Sequence, residues 1–138
     1  MRKAATILVG GACLALCTTA VIAQQELTAV EVKASIIGNT LTGYTERGLN
    51  VDVYYGPDGT MSGRVQRGDG NHYYDGGRWN LADDGKMCRQ WTTWRDGTMD
   101  CFRYYRVGDD QVRSKAIDQD YTFDFQIRKG DVLRMKGQ

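Results

Sequence analysis

The 138-residue sequence predicts a mainly β fold with one short N-terminal helix. The strands would form either an antiparallel up-and-down barrel or a curled meander sheet of about eight strands. The dipeptide Asp-Gly occurs five times, and it readily adopts the backbone conformation of hairpin turns. The segments between these turns are rich in Val, Tyr, Trp, Phe and Thr, which favour strands. The chain has 17 Gly and only 1 Pro, which fits tight turns joined by strands that need nearly every backbone amide.

Residues 1–23 have the pattern of a secretory signal peptide, so we expect a periplasmic or secreted protein. Arg2 and Lys3 precede an apolar stretch, and Val21 and Ala23 stand where a signal peptidase reads small or modest side chains. The stretch is short for a membrane anchor, so no membrane span is expected after signal removal. The remaining 16 basic and 17 acidic residues give a net charge of −1, which argues against nucleic acid as a partner.

A single β-rich domain is predicted over 24–128, and it opens with a helix over 29–37. Thr28 and Glu31 have the spacing of a capping box, in which each residue bonds the backbone amide of the other. The buried face of the helix is expected to consist of the apolar residues at helical spacing, Val30, Ala34 and Ile37. A helix this short does not persist alone, so it should cover an open end of the barrel or pack against its wall.

Strands follow the helix and are predicted over 41–44, 49–55, 60–66, 73–81, 86–94, 98–107, 111–116 and 121–128. The second and the last of them alternate apolar and polar residues, which indicates a sheet that is buried on one face. Gly76-Gly77 predicts a bulge or sharp bend within its strand. The segment over 129–138 is charged and lacks periodicity, so we expect it to fray.

Cys88 and Cys101 are the two cysteines that follow the signal peptide, and exported proteins commonly pair such cysteines. A hairpin turn over 95–97 would place them on neighbouring strands, nearly opposite each other. The disulfide would close a loop of about 14 residues, which stabilises the fold by about 3 kcal/mol in the loop-entropy model.

Three short motifs carry a resemblance to a known family: Gly38-Asn39-Thr40, Gly77-Arg78-Trp79 and the hairpin Cys88…Trp91…Cys101. In this order they resemble a family of small exported alphaproteobacterial proteins of unknown function, over most of the chain beyond the signal peptide. This resemblance implies export and a β-rich fold, and it implies no activity. The Gly-x-Trp motif is also similar to that of lipocalin-like barrels, where an Arg of the last strand, here Arg128, packs on the Trp. In those barrels the motif lies on the first strand, whereas here it lies in the middle of the domain.

Aromatic and arginine side chains are the candidates for binding. Tyrosine doublets within the strands place one ring on each face of the sheet, and Trp91 and Trp94, three residues apart, would also point to opposite faces. Trp, Tyr and Arg are the side chains that most often anchor interfaces. An aromatic–arginine binding surface is therefore predicted around Trp91, Trp94, Tyr104 and Arg106.

These features predict a non-catalytic, exported binding or envelope-associated protein, whose partner is an envelope protein, a glycan or a small apolar ligand. A carrier of a small lipophilic ligand in the barrel lumen is the alternative, because a barrel of about eight strands has room for one small ligand. A hydrolase would have to gather the single histidine, His72, with two carboxylates in one pocket. No cofactor or metal site is expected, because one histidine and a pair of oxidised cysteines supply too few ligands.

Overall fold

The computed structural model describes residues 24–45 and 47–134. The predicted signal peptide lies outside the described residues, as do 46 and 135–138. Within the described part of the chain, no helix is long and apolar enough to cross a membrane.

Eight strands form a closed antiparallel barrel. The elements are β1 (Gln25–Glu26), α1 (Ala29–Ser35), β2 (Thr40–Tyr44), β3 (Asn50–Tyr55), β4 (Thr60–Gln66), β5 (His72–Leu81), β6 (Met87–Trp91), a 3-10 turn (Trp94–Gly97), β7 (Met99–Gly108), β8 (Gln111–Ala116) and β9 (Thr122–Arg128). From β2 to β9, each strand pairs with the next along the chain, and β9 pairs back onto β2. The predicted mainly β fold is confirmed, and its form is the up-and-down barrel rather than an open curled sheet.

Strand β1 was not predicted from the sequence. It pairs with β7 through Gln25 opposite Arg106 and Glu26 opposite Tyr105. Strand β6 pairs with β7 only from Met99 to Phe102, so β1 extends the sheet at a part of β7 that β6 does not reach. A strand of two residues is too short to show any periodicity in sequence.

Helix α1 covers one end of the barrel and is fastened to it on both sides. Before the helix, the Leu27 N–H donates to the Tyr104 carbonyl at 2.8 Å, and after it the Gly38 N–H donates to the Tyr55 carbonyl at 2.7 Å. The turn between β5 and β6 is also close, since a Cβ on Gly85 would lie 2.8 Å from the Leu27 carbonyl oxygen. The helix therefore closes the end at which β3, β5 and β7 finish.

The capping box at Thr28 and Glu31 is confirmed. Of the predicted buried face, Ile37 is half-buried against the core, but the prediction is wrong for Val30 and Ala34. Val30 is 76% exposed, Ala34 is exposed too, and the fully buried residues are Val32 and Ile36. Both sets have the four-residue spacing of a helix face, so the spacing alone does not choose between them. The bonds that fasten the two ends of the helix fix its rotation and turn Val32 and Ile36 into the barrel.

Three Asp-Gly pairs end the hairpin turns that the sequence predicted, at Asp58, Asp69 and Asp84, whereas the pair Asp75-Gly76 lies within β5 and forms no turn. Each carboxylate accepts a hydrogen bond of 2.9–3.1 Å from the backbone N–H two residues further on. The glycine that follows each aspartate has a φ between +82° and +89°, which favours glycine over other residues. The hairpins of the barrel are thus specified locally.

The pair Gly76-Gly77 forms no bulge, contrary to the prediction. The ladder between β4 and β5 runs unbroken through Ser62 opposite Gly76 and Met61 opposite Gly77. A Cβ on Gly77 would lie 2.3 Å from the Gln90 carbonyl oxygen and 2.5 Å from the terminal methyl of Met61. The glycine permits a close approach of neighbouring groups rather than a bend in the strand.

Cys88 and Cys101 form the predicted disulfide. They lie directly opposite each other on β6 and β7, with a Cα–Cα distance of 4.0 Å. The bridge joins the two strands beside the turn that carries Trp94 and Arg95.

The segment after β9 is held in place as far as Val132, so the expected fraying does not apply to 130–132. The Gly130 N–H donates to the Asn39 side-chain oxygen at 3.0 Å, and the Thr40 hydroxyl donates to the Gly130 carbonyl at 2.7 Å. The Val132 N–H donates to the same hydroxyl at 3.2 Å, and the Val132 side chain is buried. Asn39 and Thr40 thus attach the end of the chain to the start of the barrel.

Replacing Thr40 with valine should destabilise the protein, because the isosteric side chain leaves the Gly130 carbonyl and the Val132 N–H without their partner. We expect a loss of about 1–3 kcal/mol in the free energy of unfolding, measured by urea denaturation. Thr122→Val, at an exposed position on β9, is the matched control and should lower the free energy of unfolding far less. Equal stability of the two variants would contradict the anchoring role of Thr40.

Candidate ligand-binding cavity

The barrel interior opens to solvent at the end opposite α1. The open cavity has a volume of about 440 Å³. Its mouth lies among the connections β2–β3, β4–β5, β6–β7 and β8–β9, which contribute residues such as Thr45, Arg67, Arg95 and Tyr121. Apolar cavities of this size hold small organic ligands in many proteins.

The cavity wall is apolar and largely aromatic. Val51 and Val53 line it from β3, and Phe123 and Phe125 line it from β9. The rings of Phe123 and Phe125 are stacked with centroids 5.5 Å apart, and Tyr121 meets Phe123 edge to face at 5.1 Å. These are the alternating residues that the sequence placed on one face of each strand, and that prediction is confirmed.

Two tryptophans form the opposite part of the wall. The rings of Trp91 and Trp94 lie 4.8 Å apart on the same side of the sheet, so the prediction that they point to opposite faces is wrong. Strand β6 ends at Trp91, and the following turn folds Trp94 back over it. A Cβ on Gly63 of β4 would lie 2.5 Å from each ring, so the missing side chain at Gly63 is what makes room for the pair.

The turn that carries Trp94 is held by Asp75 of β5. One carboxylate oxygen of Asp75 accepts from the Thr93 N–H at 2.9 Å and from the Trp94 N–H at 2.7 Å. Partial burial disfavours the charged carboxylate, but the amide donors of Trp94 and Thr93 outweigh it and lower the pKa of Asp75. Arg95 and Asp96, next in the turn, have φ values of 57° and 55°, a conformation that non-glycine residues rarely adopt.

Arg89 is the charged side chain at the floor of the cavity. Its guanidinium lies 4.5 Å from the centroid of Phe102 and 5.7 Å from that of Trp91, which is cation–π distance. Its Nη1 donates to the Tyr55 hydroxyl at 3.1 Å, and that hydroxyl lies 3.2 Å from the hydroxyl of Tyr104. Burial raises the pKa of Tyr104 well above its usual value, so this phenol is neutral.

Two nitrogens of Arg89 have no partner among the described residues. Its Nε is buried without a hydrogen bond, and its Nη2 makes none either. None of the salt bridges in the described part of the chain includes Arg89. The Arg89 guanidinium thus contacts the Tyr55 hydroxyl and the rings of Phe102 and Trp91, and it forms no ion pair within the described residues.

Two further arginines lie at the mouth. Arg67 stacks over the ring of Tyr73 at 4.1 Å, and Arg95 pairs with Asp100, with 3.0 Å between Nε and Oδ2. No aspartate or glutamate of the described chain lines the cavity itself. The cavity is therefore apolar on its walls, with the guanidinium of Arg89 at its floor and that of Arg67 at its rim.

The structure separates the residues that the sequence grouped as a binding surface. Trp91 and Trp94 line the cavity, but Tyr104 is only 1% exposed and lies below its floor. Arg106 lies at the other end of the barrel, where it donates to the Asp109 carbonyl and the Ser35 hydroxyl. The predicted aromatic–arginine surface is not formed, because Trp91 and Tyr104 belong to the inward-facing set of their strands.

Arg89 was not selected from the sequence, although a signal for it exists. It stands two residues before Trp91 on β6, and residues at that spacing share one face of a strand. Neighbouring arginines in the hairpin are exposed or half-exposed, and nothing local distinguishes Arg89 from them. Arg128, expected beside Trp79, pairs with Thr40 instead, and the residue opposite Trp79 is Arg89.

His72 lies at the start of β5 and is exposed, with its ring 6.3 Å from that of Tyr74. Within the described ranges, no group of three or more His, Cys, Asp or Glu side chains is arranged to hold a metal ion.

Comparison with known proteins gave no matching family model, no matching curated protein and no matching solved structure. Any functional assignment therefore rests on the geometry and charge of the cavity.

Replacing Asp75 with alanine should loosen the turn that carries Trp94, because two backbone N–H groups lose their acceptor. We expect a destabilisation of about 1–3 kcal/mol and a red shift of tryptophan emission. Because the pKa of Asp75 is lowered in the folded state, its contribution is complete at neutral pH and is lost as the pH falls below the ordinary value of 3.8. Asp118→Ala, at an exposed turn, is the control, and an equal effect there would refute the role of Asp75.

Proposed function

We propose that this protein is an exported, non-catalytic binding protein that takes a small, largely apolar ligand into the open end of its barrel. The observation that carries the proposal is the open cavity of about 440 Å³ with aromatic walls and a closed floor. Eight-stranded barrels can hold one small ligand, and mostly apolar cavities with a few polar groups are typical binding sites.

Export to the periplasm or the outside of the cell is part of the same proposal. The signal-peptide pattern over 1–23 supports it, and so does the disulfide between Cys88 and Cys101, since disulfides persist in oxidising compartments. Binding of an envelope protein or a glycan on the outer face has less support, because Trp91 and Tyr104 are buried within the barrel.

The proposal is tested with N-phenyl-1-naphthylamine, a neutral apolar probe whose fluorescence rises in apolar surroundings. We expect saturable binding of one probe per chain. Val51→Trp, which puts a large side chain on the cavity wall, should weaken this binding at least tenfold, because it occupies the space of the ligand.

Gln66→Trp is the matched control, because it adds the same side chain at an exposed position of β4 that faces away from the cavity. It should bind the probe like the unaltered protein, and circular dichroism should show both variants folded. Equal affinity of the two variants, or no saturable binding by the unaltered protein, would overturn the proposed function.

A further inference from the structure

We propose that the ligand of this cavity is an amphipathic carboxylate, bound with its apolar body along the aromatic wall and its carboxylate on Arg89. This inference rests on the proposed binding function and names the chemical class of the ligand.

The free edge of the Arg89 guanidinium has the shape of a carboxylate site. Nη1 is used by the Tyr55 hydroxyl, whereas Nε and Nη2 have no partner in the described chain. These two nitrogens point their N–H groups side by side, and such a pair matches the two oxygens of a carboxylate in a bidentate arrangement. The hydroxyl of Tyr55 and the ring of Phe102 hold the guanidinium in place for it.

Arg64, which is almost fully buried, shows how this chain treats the same charge when the role is structural. Arg64 of β4 faces away from the cavity and is paired with Asp52 of β3 through its Nε and Nη2. Both side chains are almost fully buried, and Asp52 also accepts from the Thr42 hydroxyl at 2.6 Å. There the carboxylate partner is part of the protein. In the ladder, Arg89 of β6 lies between Trp79 of β5 and Asp100 of β7. The Asp100 carboxylate is paired with Arg95 rather than with Arg89.

An unpaired guanidinium in a low-dielectric interior is costly, and an apolar side chain at that position would avoid the cost. A ligand carboxylate would supply the missing counter-charge where electrostatic attraction is strongest. A bound alcohol would instead offer Arg89 a single neutral oxygen and no counter-charge. The site should therefore discriminate strongly between an acid and the alcohol of the same length.

The charge at the mouth favours the same class of ligand. Arg67 and Arg95 lie at the rim. Arg95 is paired with Asp100, whereas Arg67 is in none of the salt bridges of the described residues. Positive charge along an otherwise apolar entrance attracts anions from solution. A single guanidinium at the floor fits a monoanion.

The test is competition of octanoate and 1-octanol against N-phenyl-1-naphthylamine bound to the unaltered protein. The two competitors have the same chain length and differ in the head group. We expect octanoate to displace the probe at a concentration at least tenfold lower than 1-octanol. Equal potency of the two would overturn this inference while the binding function stands, whereas failure of the probe to bind would overturn the binding function itself.

Arg89→Met keeps the length of the side chain and removes its charge. This substitution should weaken the binding of octanoate at least tenfold and leave the affinity for 1-octanol unchanged or higher. Arg78→Met removes an exposed arginine from the outward face of β5 and is the control for net charge. It should leave the affinities for both competitors unchanged. Arg89→Lys, which keeps the charge but lacks the paired donors, should retain part of the preference for octanoate. An octanoate affinity that is the same in Arg89→Met as in the unaltered protein would refute the site.

Discussion

The pairing of β9 with β2 is the contact on which the rest of this structure depends. It joins Thr40 to Arg128 and Gly43 to Phe125, and it turns a linear series of hairpins into a closed wall. The two strands approach each other closely at Gly43, since a Cβ there would lie 2.7 Å from the Asp124 carbonyl oxygen and 2.9 Å from the Phe125 ring. Closure removes both free edges of the sheet and creates an interior that is distinct from the outer face.

Closure also makes the two ends of the barrel different. At one end, Leu27, Val32 and Ile36 fill the interior and complete the hydrophobic core. At the other end, the connections between strands leave the interior open, and the Trp94 turn narrows it from one side. Trp94 reaches that place only because Asp75 holds the turn and Gly63 leaves space beneath the rings. The cavity exists because apolar side chains of α1 and its flanking residues fill one end of the barrel, whereas the connections between strands leave the other end open.

The strands, the hairpins, the capping box and the disulfide could be predicted because their signals are local. Alternation along β3 and β9, and aspartate followed by glycine at the turns, depend on residues close in sequence. The rotation of α1, the pairing of β1 and the anchoring of 130–132 depend on contacts with distant residues, and no local pattern encodes them. The grouping of the predicted site residues depends on distant contacts in the same way, because the direction of Trp91 and Tyr104 follows from barrel closure, which the sequence left open.

The floor of the cavity is tied to the closed end of the barrel rather than to the mouth. Arg89 rests on the Tyr55 hydroxyl, which lies beside that of Tyr104. The backbone carbonyls of these two tyrosines accept the hydrogen bonds that fasten α1, from Leu27 on one side and Gly38 on the other. The helix and the tyrosines therefore hold the guanidinium in a fixed position. Preorganisation of this kind lowers the entropic cost of binding, because the charge that receives the ligand is already in place.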